Sequence, residues 1–344
     1  MTDQLIQGPD PIALGVKITS VLETGRREST YKLATLMALA QYAVENARLD
    51  EALEVELLVL AEYVTDLYSR QLEPFDQFGP LRQGKGQRDS VLELLAKASK
   101  KRGLATPEAR RLAQLLAQMP LTHLQHGEAG RSKEMFLFDD SWLHKKITIR
   151  ELDARQWRIT LMPGVGSSLA KLSGLLIPVL QMLWQQEVRR FNGSRVDEDR
   201  LSSYLFGSSR AATQGLRAAL TEIQWGRCFY CGDVLKVPGE VEHVLPWSRT
   251  ALDDLCNLVV ADARCNADKA ALIPVPAWVA AAVERDLSGI EQLGSFRQSP
   301  RRVASTAQGL YRWSPPGVPL WANRGHLETL SPLWVTQADE LLDP

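Results

Sequence analysis

Cysteine is scarce in this chain: there are four in 344 residues, all of them between positions 228 and 265. So few thiols in so long a chain exclude a disulfide framework, and their clustering then needs another reason. Net charge is scarce too. The 40 Lys and Arg stand against 41 Asp and Glu, a formal net charge of −1. No global field draws in a polyanion, so any nucleic-acid contact has to come from local patches. Long apolar runs are missing. The most apolar stretch, Leu169 to Trp184, is interrupted by Lys171 and Pro178 and falls short of the roughly 18 residues that span a bilayer. With no secretory signal pattern either, the expectation is a cytoplasmic protein without membrane contact. Internal repeats and low-complexity linkers are absent. The 45% hydrophobic and 24% charged residues are ordinary for a globular chain with room for two or three domains.

What the chain does have is concentrated in residues 228 to 269, CFYCGDVLKVPGEVEHVLPWSRTALDDLCNLVVADARCNADK. Cys228 and Cys231 form a pair and Glu242 directly precedes His243. Asn257 follows 14 residues after the histidine, Asn266 9 further on and Lys269 3 after that. Taken singly, a histidine after a glutamate is ordinarily a surface or satisfied core pair, and an asparagine near a helix start is ordinarily a cap. Taken together, the segment resembles the HNH, or ββα-metal, nuclease family. The spacing of His243, Asn257 and Asn266 is also similar to that of the target-strand nuclease domain of RNA-guided CRISPR effectors, which likewise has Asn at the third position. There are two departures from the family pattern. Glu242 stands where Asp or His is more frequent, and Asn266 replaces the last His; both retain an oxygen ligand.

The chemistry implied by that resemblance needs these residue types. Phosphodiester hydrolysis requires a base to activate water and a divalent ion to neutralise charge on the phosphate and the leaving oxygen. His243 is the expected base, since imidazole titrates near neutral pH. Glu242 and Asn266 supply hard oxygen ligands, suited to Mg2+ or Mn2+. Asn257 is expected to brace the loop between them. Lys269 and Arg264 are expected to contact the phosphate and Arg249 the nucleic-acid backbone, contacts that carry no sequence information. Many members of the family tie the unit with zinc through two Cys-x-x-Cys pairs. Here the second pair is broken, with Asp262 where the partner of Cys265 would stand. Either Cys256 or Asp262 completes a tetrahedral Zn2+ site with Cys228, Cys231 and Cys265, or these cysteines pack as small apolar residues.

Local patterning agrees with a ββα unit. Glu240 to Leu245 alternates as a short strand and Pro246 stops it. Asp253-Asp254 reads as a turn, and Asn257 to Val260 as a second strand. Asp262 is a candidate N-cap, with Asn266 and Lys269 three apart on one helical face.

Elsewhere the amino-terminal part reads as helical. Ser29-Thr30-Tyr31-Lys32 offers a cap followed by Leu33, Leu36, Met37 and Ala40 at helical spacing, and a second helix is expected from Glu51 to Leu72. The segment STYKLATLMAL resembles the opening of other bacterial HNH proteins with a helical amino-terminal domain. Between Arg82 and Arg111 basic residues dominate: Arg82, Lys85, Arg88, Lys97, Lys100, Lys101, Arg102, Arg110 and Arg111 stand against Asp89, Glu93 and Glu108. This is either a DNA-backbone surface, carried by Arg82, Lys85, Arg88, Lys100, Lys101 and Arg102, or a solvated helix face. In the middle, Lys133–Phe138, Lys145–Glu151 and Trp157–Met162 are expected to be strands of a small antiparallel sheet. A long helix follows from Ser168 to Phe191, kinked at Pro178, with two more leading to Trp225. His123, His126 and His144 read as structural, and Trp142, Trp157 and Trp184 as core or interface residues. One helix is expected from Ala277 to Leu293, then a loop-like tail around Trp313, Pro315, Pro316, Pro319 and Trp321.

The expectation is therefore an α+β chain with a mainly helical amino-terminal region (1–130), a small antiparallel sheet with a long helix (131–195), a ββα-metal unit (196–275) and a helical extension (276–344). The resemblance implies a metal-dependent endonuclease acting on DNA. It would nick as a monomer and cut both strands as a homodimer, in bacterial restriction or anti-phage defence, where systems such as Zorya include HNH proteins. The alternatives are an RNA-cleaving toxin and a nuclease subunit held inactive by other defence-system proteins.

Overall fold

The computed structural model describes residues 9–343 except 25–27, 73, 76–78, 86–89, 101–105, 127–134, 194–195, 197, 207–209, 289 and 291–296. The chain is α+β and divides into two compact units, residues 1–207 and 208–344.

The first unit holds α1 (Pro11–Thr24), α2 (Tyr31–Asn46), β1 (Leu53–Glu56), α3 (Leu57–Ser69), α4 (Ser90–Lys100), α5 (Pro107–Gln118), α6 (Ile149–Ala154), β2 (Arg158–Leu161), α7 (Val165–Asn192) and α8 (Glu198–Phe206). Helix α2 is buried from Leu33 to Val44 and packs along α7. Pro178 lies inside α7, which continues through it. By length and composition α7 is apolar enough to cross a membrane, yet 56% of its apolar window is buried within the protein, as in a core helix. Gly166 permits a close approach at its start, where a Cβ would come 3.0 Å from Leu53 Cδ2 and 3.3 Å from Ala47 Cβ. The core also carries polar bonds. Gln83 Oε1 accepts from Trp184 Nε1 and Thr30 Oγ1, each at 2.9 Å, and Trp184 packs on Tyr68 at 4.8 Å between ring centroids.

Three expectations for this unit need correction. The helix expected from Glu51 to Leu72 begins only at Leu57. Leu53 to Glu56 instead form β1, with Leu53 and Val55 buried and Glu54 and Glu56 exposed. That strand exists because β2 pairs with it antiparallel and Arg158 reaches Glu54 at 2.8 Å, a partner 104 residues away that local sequence cannot reveal. Lys145 to Glu151 is not a strand. Thr148 and Glu151 form a reciprocal capping box that starts α6. Of the strand expected from Lys133 to Phe138, residues 133 and 134 lie outside the described residues, and Phe138 makes only an isolated bridge to Leu161.

The second unit begins with α9 (Arg210–Ile223) and continues through β3 (Glu240–His243), α10 (Trp247–Thr250), β4 (Leu258–Ala261), α11 (Ala263–Lys269), β5 (Ile273–Pro274), α12 (Pro276–Val283), α13 (Pro300–Trp313), β6 (Pro319–Asn323), β7 (His326–Thr329) and α14 (Pro332–Leu341). Strands β3 and β4 pair antiparallel, setting Glu242 opposite Val259 and His243 opposite Leu258. β5 runs parallel to β6, which pairs antiparallel with β7.

The carboxyl-terminal stretch also differs from expectation. Helix α12 stops at Val283, beyond which Ser288 N–H donates to Asp286 Oδ1 in a turn that competes with further helix; of the helix expected to Leu293, residues 289 and 291–293 lie outside the described residues. Of the tail expected to be loop-like, Pro315 and Pro316 do lie in a turn, but Trp313 ends α13 and Pro319 and Trp321 lie in β6. Ser299 caps α13 and Pro300 starts it, while Leu320 and Trp321 are buried strand residues. One apolar core runs from Leu216 through Val244, Val260 and Tyr311 to Leu342. Gly239 is needed where β3 begins, because a Cβ there would press into Val260 Cγ1 and lie 3.0 Å from Ala261 O. We expect Gly239→Ala to destabilise the chain by about 1–3 kcal/mol, read as a lowered denaturation midpoint; an unchanged midpoint would show that β4 can move aside.

Candidate active site and cysteine cluster

Side chains at alternate positions of a strand share a face, so Glu240 and Glu242 project together from β3. Helix α11 follows β4 after one residue, Asp262, whose carboxylate caps it by accepting from Arg264 N–H. Its residues meet those of β3. Asn266 Nδ2 donates to Glu240 Oε2 at 2.6 Å. Lys269 Nζ donates to Glu242 Oε1 at 2.7 Å and to His243 O at 2.9 Å. The Lys269 side chain has 0% exposure; burial pulls its pKa down, with Glu242 acting in the opposite direction. Read from the sequence as a phosphate contact, Lys269 instead spends its ammonium inside the site, on the acid and on the strand end beside the histidine.

His243 Nε2 lies 2.7 Å from Asp253 Oδ1, both side chains being mostly buried. Sequence reasoning took Asp253 only as part of a turn. Nothing local marks it further, because the pairing depends on how the loop folds back. Asn257 governs that path and is fully buried. Its Oδ1 accepts from Leu245 N–H at 2.7 Å, and its Nδ2 donates to Leu245 O at 3.0 Å and Leu252 O at 3.1 Å. The expected loop brace is what its geometry provides. Glu240 is the other residue that sequence reasoning passed over, although its place two before Glu242 was a signal.

The oxygens gathered here suit a hard divalent cation. Glu242 keeps Oε2 without a hydrogen bond among the described residues, Glu240 is exposed, and Asn266 offers its carbonyl oxygen. Two carboxylates and an amide, without sulfur, form a donor set for Mg2+ or Mn2+.

The cysteines separate into two groups. The sulfur atoms of Cys228, Cys231 and Cys265 all lie within 4.8 Å of one another, and the thiols are free. Burial raises the Cys228 pKa, but backbone N–H groups of Asp262, Cys231 and Tyr230 aimed at its sulfur outweigh that and bring it below the usual thiol value. Asp262 N–H donates to it at 3.2 Å. Burial first, then the neighbouring Cys228, pushes Cys265 up to about 12. Were all three ionised, the thiolates would repel one another strongly, and a cation would remove the conflict. Cys256 stands outside the cluster; burial and then Asp254 push it up to about 12. The carboxylate of Asp262 is engaged by Arg264, at 2.9 Å from N and 3.1 Å from Nε.

The remaining candidates are placed as follows. Arg264 is exposed, and Arg249 Nε reaches Ala271 O at 3.4 Å. In the first unit Arg82 Nη2 donates to Lys85 O, and Lys85 pairs with Glu28 at 3.8 Å. Lys100 ends α4, while Arg88, Lys101 and Arg102 lie outside the described residues. His126 bonds Asp140 at 2.6 Å and His144 bonds Glu151 at 3.3 Å.

Residues 228–275 match the family described as HNH endonuclease. The second unit carries an HNH domain. Residues 11–103 match a family described as a domain of unknown function (DUF8808). No curated protein and no solved structure matches the chain. The HNH match supports a nuclease activity for the chain.

For the cysteine cluster we expect zinc: elemental analysis of purified protein should find about one zinc per chain. Cys231→Ser should lose it and lower the melting temperature, and Cys256→Ser should keep it. Zinc-free protein with an unaltered melting temperature would make the cluster simple packing.

Proposed function

We propose that the chain is a metal-dependent endonuclease that hydrolyses DNA phosphodiester bonds, with His243 as general base. The observation that carries this reading is the His243–Asp253 pair at the end of the strand that also carries Glu240 and Glu242, with Asn266 of α11 bonded to Glu240. With Nε2–H donated to Asp253, the imidazole keeps Nδ1 as a lone pair, and the carboxylate stabilises the imidazolium that forms when Nδ1 takes a proton from water. Asn257 holds the loop that aims Asp253. Lys269 fixes the Glu242 carboxylate and the end of β3, acting as a positioning residue. A divalent cation held by Glu242 and Asn266, with Glu240 adjoining, would neutralise charge on the phosphate and the leaving oxygen. Arg264 and Arg249 are proposed to meet the nucleic-acid backbone, with the basic stretch from Arg82 to Arg102 a further candidate.

One such unit has one set of catalytic groups, so a single chain nicks and a homodimer cuts both strands. A role in bacterial restriction or anti-phage defence extends the proposal and rests on the family resemblance.

The test is conversion of supercoiled plasmid with Mg2+, Mn2+ or EDTA. We expect open-circle product only with metal, and His243→Ala should lower the rate by at least about 100-fold. Cutting of RNA but not DNA would move the substrate class, and equal activity of His243→Ala would remove the histidine from the mechanism. A finer measurement concerns the missed partner. Asp253→Asn should reduce kcat roughly tenfold or more with little change in KM, because it acts through His243 and not on substrate binding. A change confined to KM would make Asp253 a binding residue.

A further inference from the structure

Helix α9 ends in an unusual way. Trp225 N–H donates to Glu222 O at 2.9 Å and Gly226 N–H to Thr221 O at 2.8 Å, the pair of bonds that closes a helix over a left-handed residue. Glycine suits that position because it has no Cβ. Here a φ of +57° falls on Trp225, and glycine comes one place later at +68°. No burial compensates for the strain. Trp225 is 88% exposed, the highest value among the exposed large hydrophobic residues described. Backbone strain at a non-glycine residue and a large apolar ring left in water together point to a binding partner.

The surroundings indicate which kind. From Trp225 the chain enters the ribbon that carries Cys228. Arg227 bridges antiparallel to Val234, and Leu235 N–H donates to Gly226 O at 2.9 Å. Continued one step, this register sets Trp225 opposite Lys236. Trp225, Arg227, Val234 and Lys236 are all exposed, while Cys228 is buried and Leu235 half-buried. The ribbon's single carboxylate, Asp233, is within electrostatic reach of exposed Arg264. An indole flanked by a guanidinium and an ammonium matches a nucleobase flanked by phosphates: the base stacks on the ring and the cations follow the backbone. Lys236 stands six residues before Glu242, at most about 20 Å of extended chain, so a nucleic-acid strand lying on the ribbon is within reach of the carboxylates proposed to hold the metal.

We propose that this face of the cysteine ribbon, with Trp225 as its platform, binds an unpaired stretch of the nucleic acid that is cut at His243. The proposal rests on the nuclease reading above. Stacking on a base is tolerant of sequence, so the ribbon would favour single-stranded or distorted DNA over a regular duplex without selecting a sequence.

The test uses the full chain carrying His243→Ala, which holds DNA without cutting it, and a fluorescently labelled single-stranded DNA oligonucleotide followed by anisotropy in Mg2+. Trp225→Gly is the informative variant, since glycine fits the left-handed position and should leave the melting temperature equal or higher. We expect it to raise Kd roughly tenfold. Trp225→Tyr, which keeps a ring, should raise it much less, and Arg227→Ala should flatten the salt dependence. An unchanged Kd for a folded Trp225→Gly overturns the proposal and gives the face to a protein partner, while leaving the nuclease reading intact. If the parent protein neither binds DNA nor cuts plasmid, the nuclease reading fails and this one fails with it.

Discussion

A buried ammonium joins the helix of the ββα unit to its first strand. Lys269 has no exposed side-chain surface, so its charge has to be met inside the protein, and Glu242 Oε1 and His243 O meet it. Such an arrangement tolerates little displacement, because a shift of α11 along β3 would leave a desolvated charge without its partners. Two consequences follow for the site. Glu242 is held in one orientation, and the end of β3 is fixed where His243 leaves it. The same helix brings Asn266 to Glu240 at 2.6 Å, so one contact between helix and strand arranges all the oxygen donors.

The rest of the second unit supports that contact from behind. Asp268, next to Lys269, accepts from Trp321 Nε1 at 2.8 Å and from Gly325 N–H at 3.0 Å, which ties α11 to the β6–β7 hairpin. Tyr230 packs against Trp321 at 4.8 Å and Trp278 at 5.3 Å, so the cysteine ribbon leans on the same aromatic group. The opposite end is held by Asp254, which accepts from Cys256 N–H and Ser299 N–H. The segment matched to the HNH family ends at residue 275, yet its core continues to Leu342. The carboxyl-terminal helices and strands are therefore structural parts of the nuclease unit.

Elements with local signals were legible. The β3 alternation, the Asp262 cap and the spacing of Asn266 and Lys269 all lie within a few residues of one another, and each appears where the pattern put it. The capping box of Thr148 and Glu151 was equally local and was outweighed by the alternation of Ile147 and Ile149. β1 was not legible, because Leu, Glu and Val suit either state and the deciding partner, β2, is far along the chain. The tail was misread in part for a related reason: Pro319 starts β6, where its missing N–H group does no harm, whereas Pro315 and Pro316 do mark a turn.

The amino-acid sequence by itself determined the family match over residues 228–275. A histidine, a glutamate, asparagines and cysteines at these intervals were legible because the ββα unit is short enough for spacing along the chain to translate into spacing in three dimensions. The tertiary structure decided which groups meet. It set Asp253 against His243, turned Lys269 inward to Glu242, gathered three of the four cysteines and left the fourth apart. Those outcomes depend on the path of a loop and on packing against residues up to Leu342, and no local pattern encodes contacts that form only when the chain returns to itself.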